Sequence, residues 1–265
     1  MNWDHILREL LPPYVHRRLT RRHEEARKQA LFRSFYGQFV GPGDLCFDVG
    51  ANLGNRTRCF RMLGCRVVAI EPQARCLAAL RAAFVADASV SIVGMAVGRS
   101  AGQGTLHVSP VHVLSSMSPD FIDSTRASGR FADVAWNAVE SVTVTTLDAL
   151  IQEFGKPKFL KIDVEGHELE VLSGLSAAID AVSFEWTPEL ADSAIGCVQK
   201  LTELGDYEFN LSWGESMRFS RPAWRNAEGM IRVIEEFRGE SLEFGDIYAR
   251  LRAPDARASS QIATL

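Results

Sequence analysis

The amino-acid sequence predicts an α/β fold with a largely parallel sheet covered by helices on both faces. Three observations carry this. Short apolar segments alternate with helical segments from Gly41 onward, a glycine-rich turn follows the first apolar segment, and an acidic residue closes the second.

The bulk properties set the frame. The 265 residues are 46% hydrophobic, which suits one large domain with a terminal extension and a core that needs no disulfide or structural metal. A net charge of −4 argues against a duplex nucleic-acid partner, which asks for a basic excess. The five cysteines, Cys46, Cys59, Cys65, Cys76 and Cys197, show no CxxC spacing and read as reduced, packed thiols. The start, Met1-Asn2-Trp3-Asp4-His5, lacks the basic and apolar runs of a secretory signal, and no apolar stretch approaches the roughly 20 residues that span a bilayer. A soluble, cytoplasmic protein is the expectation.

The elements follow in order. Residues 1 to about 38 read as helical. A cluster of Leu7, Leu10 and Leu11 is broken by Pro12-Pro13. A second helix carries Arg17, Arg18, Arg21, Arg22, Arg27 and Lys28, a face that is either simply solvated or in weak contact with a membrane surface or acidic partner. After the turn at Gly41-Pro42-Gly43-Asp44, strands are expected at Leu45–Val49, Arg66–Ile70, Val90–Val97, Phe159–Val164 and Val182–Trp186. Helices are expected at 54–63, 73–86, His167–Leu175 and up to Leu204. Tyr207–Leu211 reads as an antiparallel edge strand. Residues 107 to 140, with His107, His112, Ser115, Ser116 and Gly129, interrupt the rhythm. An insertion of this length suits a lid. The tail after Pro254 is small and polar.

In a parallel sheet the ligand lies beyond the carboxyl ends of the strands, so chemistry is sought there. The first strand runs into Asp48-Val49-Gly50-Ala51-Asn52-Leu53-Gly54, where glycines permit a tight turn and close approach of a ligand, and the next helix brings Asn55 and Thr57 in its first turn. The second strand ends at Glu71 (71 − 48 = 23 residues after Asp48), where a carboxylate accepts hydrogen bonds from a ribose diol. A dinucleotide fingerprint needs three glycines around a pyrophosphate, and here Asn52 stands at the middle position. S-adenosylmethionine has no phosphate to cradle, and its methionine end asks for backbone groups and a carboxylate such as Asp48. The turn favours that methyl donor over NAD.

Several segments in register resemble the FkbM-type methyltransferases. They are Phe47 to Gly54, Ile70-Glu71-Pro72, Thr146-Leu147-Asp148, the run Leu160-Lys161-Ile162-Asp163-Val164-Glu165-Gly166-His167-Glu168, and Gly245-Asp246-Ile247-Tyr248-Ala249. The resemblance covers roughly residues 41 to 250. It implies the class I methyltransferase Rossmann-like fold, with a mostly parallel seven-stranded sheet, S-adenosylmethionine as cofactor, and a hydroxyl acceptor on a small molecule, sugar or glycan. By the same resemblance Asp48, Gly50, Asn52 and Gly54 line the methionine and ribose portions, Glu71 holds the ribose, and Met95-Ala96-Val97 borders the adenine. Ser115 and Ser116 match a serine pair of the family's variable insertion. The organisation expected is an N-terminal helical extension over 1–40, the methyltransferase domain over 41–250 with the 107–140 insertion, and a flexible tail over 251–265.

Methyl transfer to an alcohol needs alignment with the donor and loss of the hydroxyl proton. Lys161, Asp163 and Glu165 alternate with apolar residues and share one face if the strand is regular. They either address donor and acceptor or satisfy one another. His167 adds an imidazole whose ordinary pKa lies near ~6.5, raised further by a carboxylate neighbour. Glu185 ends the next strand. Asp163, His167, Glu185 and Lys161 are therefore the catalytic candidates, with Asp163 also facing the cofactor. The acids with His167 could hold a divalent ion, although no HxH or HExxH spacing supports one. Two other functions remain open from sequence: an NAD-dependent oxidoreductase on a similar fold, and a catalytically silent nucleotide-binding module.

Overall fold

The structure, a computed structural model, describes residues 27–239 and 243–252. The Leu7–Leu11 cluster, the arginines at 17, 18, 21 and 22 and the tail after Pro254 lie outside the described residues. Of the N-terminal extension, residues 27–36 form helix α1.

Among the described residues ten strands build two sheets. In chain order β1 is Leu45–Val49, β2 Arg66–Ile70, β3 Val90–Val93, β4 Ala96–Val97, β5 Gly102–Val108, β6 Ala138–Thr145, β7 Phe159–Ile162, β8 Ala181–Trp186, β9 Tyr207–Trp213 and β10 Gly245–Leu251. The main sheet has the order β3-β2-β1-β7-β8-β10-β9. Its first five strands are parallel, and β10 runs against both of its neighbours. The chain begins at β1, builds outward to β3, then returns to pair β7 with β1. That reversal sits between Val49 and Ile162, which face each other in register. It opens a crevice at the carboxyl ends of β1 and β7.

The strands alternate apolar residues toward two helical layers, which is why both faces close. Phe47, Val68, Leu160, Val182 and Ile247 share one core with α5 (Leu147–Phe154), α6 (Glu168–Ser173), α7 (Ala191–Leu204) and α8 (Ala227–Glu236). Cys46, Val67, Phe159, Ala181 and Tyr248 point the other way, onto α1 and α2 (Asn55–Met62). There Phe32, Phe35 and Tyr36 are buried in an aromatic cluster, with Tyr36 edge-on to Phe60 at 5.1 Å and to Phe159 at 5.6 Å. The α1 helix thus covers the main sheet. A third helix, α3 (Ala74–Phe84), packs Leu80 and Phe84 beside β2. The five cysteines are all buried and unpaired. Among the described residues no helix is long and apolar enough to cross a membrane.

Two strands differ from expectation. Val90–Val97 is not one strand. It breaks at Gly94-Met95, where a Cβ on Gly94 would meet Leu77 Cδ2 at 2.7 Å. Beyond the break β4 leaves the main sheet to pair with β6, which with β5 forms the second sheet in the order β4-β6-β5. The strand predicted over Phe159–Val164 ends at Ile162, because Glu165 and Gly166 take left-handed φ values of 54° and 90°. The segment expected to be an irregular insertion holds the end of β5, a single 3-10 turn at His112–Leu114, helix α4 (Pro119–Ala127) and the start of β6. Ser118 caps α4 by accepting from the Phe121 N–H at 3.1 Å.

Candidate active site

The turn after β1 is built by close approach. Gly50 has φ 79°, and a Cβ there would lie 1.8 Å from the Asp163 carbonyl oxygen, so only glycine lets the β1 and β7 turns touch. Asn52 also takes a left-handed φ of 50°, a conformation asparagine tolerates better than most residues. Its N–H donates to Glu71 Oε2 at 2.8 Å, and the Gln73 N–H donates to Glu71 Oε1 at 2.8 Å. Burial pushes the Glu71 carboxyl up to about 7, against the opposing pull of these two N–H groups. Asp48 is buried, accepts a 2.5 Å hydrogen bond from Thr57 Oγ1, and is raised above its ordinary range by that burial.

Two connected spaces lie over these turns. The first, about 560 Å³ including its opening to solvent, is bounded by Gly50, Asn52, Glu71, Gln73, Met95, Ala96, Val97, Ser115 and His167. The second, about 1310 Å³ and open to solvent, is bounded by Asp48, Asn55, Arg56, Phe121, Arg130, Phe131, Glu185, Thr187 and Glu215. Gly50, Asn52, His112, Val113, Asp163 and Glu165 border both and mark the joint.

Asp163 and Glu165 at that joint and Glu185 on the adjoining wall of the second space present carboxylate oxygens within 4.8 Å of one another. Asp163 follows β7 with its N–H donated to Val49 O at 3.0 Å. Its Oδ2 lies 3.2 Å from Lys161 Nζ. Burial would raise the Asp163 carboxyl, but Lys161 and Arg56 outweigh it and hold it below its ordinary range. Glu165 and Glu185 are driven well above theirs, first by burial and then by the neighbouring carboxylates. The Glu165 carbonyl accepts from Ser116 Oγ at 2.6 Å, which helps hold the left-handed turn that aims its side chain.

Several sequence expectations are corrected here. Lys161 does not reach either space. It is 1% exposed beneath the floor and pairs with Asp246 Oδ1 at 2.8 Å and with Asp163, so the three alternating charges do not share an open face. Ser116 is buried and serves the turn, accepting from the Ser118 N–H at 2.9 Å, while Ser115 does face the first space and bonds Gln73 Nε2 at 3.0 Å. Gly54 borders neither space. It caps α2 at φ 82°, and a Cβ there would strike Phe84 at 2.6 Å. Thr57 acts on Asp48 rather than on a ligand. His167 stands on the wall of the first space near Gly98 and outside the carboxylate group. Burial lowers its pKa, and Glu170 only partly offsets this, so the expected upward tuning does not occur. Gln73, Arg56 and Thr187 were not singled out from sequence, and His112 was named only as part of the insertion. The signal for Thr187 was its place two residues after Glu185 in extended chain.

The sheet order, the glycine turn, the acid ending β2 and the crevice at the β1/β7 reversal are those of a class I methyltransferase domain with a site for S-adenosylmethionine. The chain belongs to the FkbM methyltransferase family, whose domain, described as "Methyltransferase FkbM domain", matches residues 48–206. The oxidoreductase alternative falls with that assignment. The chain is 30% identical over 146 residues to the hexuronic acid methyltransferase AglP of Haloferax volcanii, covering 53% of this chain and 54% of that protein. It therefore spans about half the length of this curated relative. Among solved structures it is similar to a precorrin-6y C5,15-methyltransferase of Geobacter metallireducens (TM-score 0.45, 12% identity, 84% of this chain and 86% of that one). It is also similar to an O-methyltransferase of Thermotoga maritima (TM-score 0.39, 11% identity, 86% and 66%).

Proposed function

We propose that the protein transfers a methyl group from S-adenosylmethionine to a hydroxyl of a sugar or glycan, or of another small polyhydroxylated molecule. The observation that carries this reading is the joint between the two spaces. A donor in the first must present its methyl past Gly50 and Asp163 into a second space with a polar, acid-rich wall. Such a wall suits an acceptor that offers many hydroxyl donors. The Haloferax relative, named for hexuronic acid, supports a sugar acceptor.

The residues fit the donor. Glu71 keeps carboxylate lone pairs for ribose hydroxyls beyond the two N–H bonds it already accepts. Gly50 and Asn52 address the methionine end, Met95 and Ala96 border the adenine, and Ser115 with Gln73 closes the ribose side, while Asp48, which borders only the second space, acts on the turn through Thr57. Asn55 extends the polar lining on the acceptor side. The donor supplies a methyl group on a sulfonium, already a good leaving group. What the chain adds is alignment, exclusion of competing water by the 107–140 cover, and the three carboxylates through which the acceptor hydroxyl loses its proton.

A transfer assay with isotope-labelled donor tests the acceptor class. Uronic-acid-containing and neutral glycans should take up label, and apolar alcohols should not. Uptake confined to apolar alcohols would contradict the reading.

A further inference from the structure

The second space is more acidic than its ligands so far can balance. Asp48 and Glu215 join Asp163, Glu165 and Glu185 on its wall, against the guanidinium groups of Arg56 and Arg130. Lys28 and Arg56 pair with Glu215, Lys161 pairs with Asp163 and Arg130 with Glu189, so among the described residues no ion pair balances Glu165 and Glu185.

A second, independent observation points into the same place. Thr187 is 6% exposed, and its Oγ1 has no hydrogen-bond partner. Its backbone is extended (φ −128°, ψ 149°) and continues β8, so Thr187 lies on the same side of the chain as Glu185, two residues earlier. Both border the second space. A buried hydroxyl left without a partner is costly, so this oxygen calls for a donor, a water or the hydration shell of an ion.

We propose that Asp163, Glu165 and Glu185 hold a divalent, oxygen-preferring cation, Mg²⁺ or Mn²⁺, with Thr187 turned toward its hydration shell. The oxygens lie within 4.8 Å of one another, which lets one ion at roughly 2.0–2.2 Å reach all three after small side-chain rotations. All-oxygen donors select hard cations over zinc or copper. This inference rests on the methyl-transfer reading and specifies what the three carboxylates do in it. An ion beside the acceptor hydroxyl lowers its pKa. The oxygen–carbon bond then forms as the carbon–sulfur bond breaks. The electron pair of that bond stays on sulfur, and the hydroxyl proton leaves to water at the open mouth of the second space.

The test uses the full chain, stripped with a chelator and titrated with Mn²⁺ by electron paramagnetic resonance. One Mn²⁺ should bind per chain, Glu185→Gln and Glu165→Gln should each weaken it at least tenfold, and Glu189→Gln, at an acid held by Arg130, should not. Thermal melting of each variant separates a lost ligand from a lost fold. No Mn²⁺ binding to the wild type, or equal affinity in all four proteins, overturns the site. Calorimetry with S-adenosylmethionine on the stripped protein keeps the two ideas apart. Donor binding without any Mn²⁺ binding overturns the ion site alone, whereas no donor binding overturns the reading beneath it.

Discussion

The Asn52 N–H donates to Glu71 Oε2 at 2.8 Å and so ties the turn after β1 to the end of β2. One carboxylate thereby sets the shape of the donor crevice and offers its remaining lone pairs to it. Glu71→Ala should weaken donor binding by about 1.5–3 kcal/mol, the range for hydrogen bonds to a charged group. This corresponds to roughly 10–150-fold in the dissociation constant measured by calorimetry. Unchanged affinity would remove Glu71 from the ribose.

The same carboxyl sets a pH dependence. Its donor-free pKa is pushed up to about 7 by burial. The folded chain therefore binds more protons here than the unfolded chain between the ordinary glutamate value and 7. The group favours folding at low pH, and that contribution is lost as pH rises through 7. Donor binding has the opposite sign. Ribose hydroxyls need the ionised form, so binding releases a proton below pH 7. Affinity should rise with pH by up to about tenfold per unit, and level off above 7. Glu71→Gln should flatten the profile.

Lys161 is a structural cation. Its Nζ lies 2.8 Å from Asp246, whose side chain is 8% exposed, and Tyr248 Oη donates to the other oxygen of that carboxylate at 3.3 Å. Lys161→Met leaves Asp246 buried without its partner. It should cost roughly 3–5 kcal/mol in urea unfolding, a figure resting on the Asp246 pair and not on the more exposed Asp163. A loss below about 1 kcal/mol would show that water replaces the ammonium.

The carboxylates and the imidazole should separate kinetically. Glu185→Gln should lower turnover by roughly 10²–10⁴-fold with donor affinity near normal, because the acid borders the second space and not the first. His167→Ala should do the reverse, weakening the donor with a smaller effect on turnover. The opposite pattern would return His167 to the role of base.

Much of this architecture was written in local patterns. Leu45–Val49 and Arg66–Ile70 are short apolar runs closed by glycine or acid, and they form the adjacent parallel strands β1 and β2 as expected. The Gly50, Asn52 and Glu71 cluster was legible because tight turns and strand ends restrict residue type. The second sheet was not. In β5 only Leu106 is fully buried, so the pairing with β6 that builds the strand leaves little apolar alternation. The α8 helix carried a readable 3–4 spacing in Met230, Val233 and Ile234 and an N-cap at Asn226, yet its sequence surroundings are irregular. Lys161 misled because alternation predicts which face a residue shares, not whether that face is open. Its fate depends on Asp246, 85 residues away. Glu165 was read on a regular strand, and the left-handed turn that reorients it rests on a hydrogen bond from Ser116, 49 residues earlier.

The atom that receives the methyl group tests the account most directly. A reaction with carbon-13-labelled S-adenosylmethionine and a uronic-acid glycan, followed by nuclear magnetic resonance of the product, reports that atom. The account predicts a single labelled methyl bonded to a sugar oxygen as an ether, stable to mild alkali. A labelled methyl on nitrogen or carbon, or one released by alkali as an ester of the uronic carboxylate, would contradict transfer to a hydroxyl.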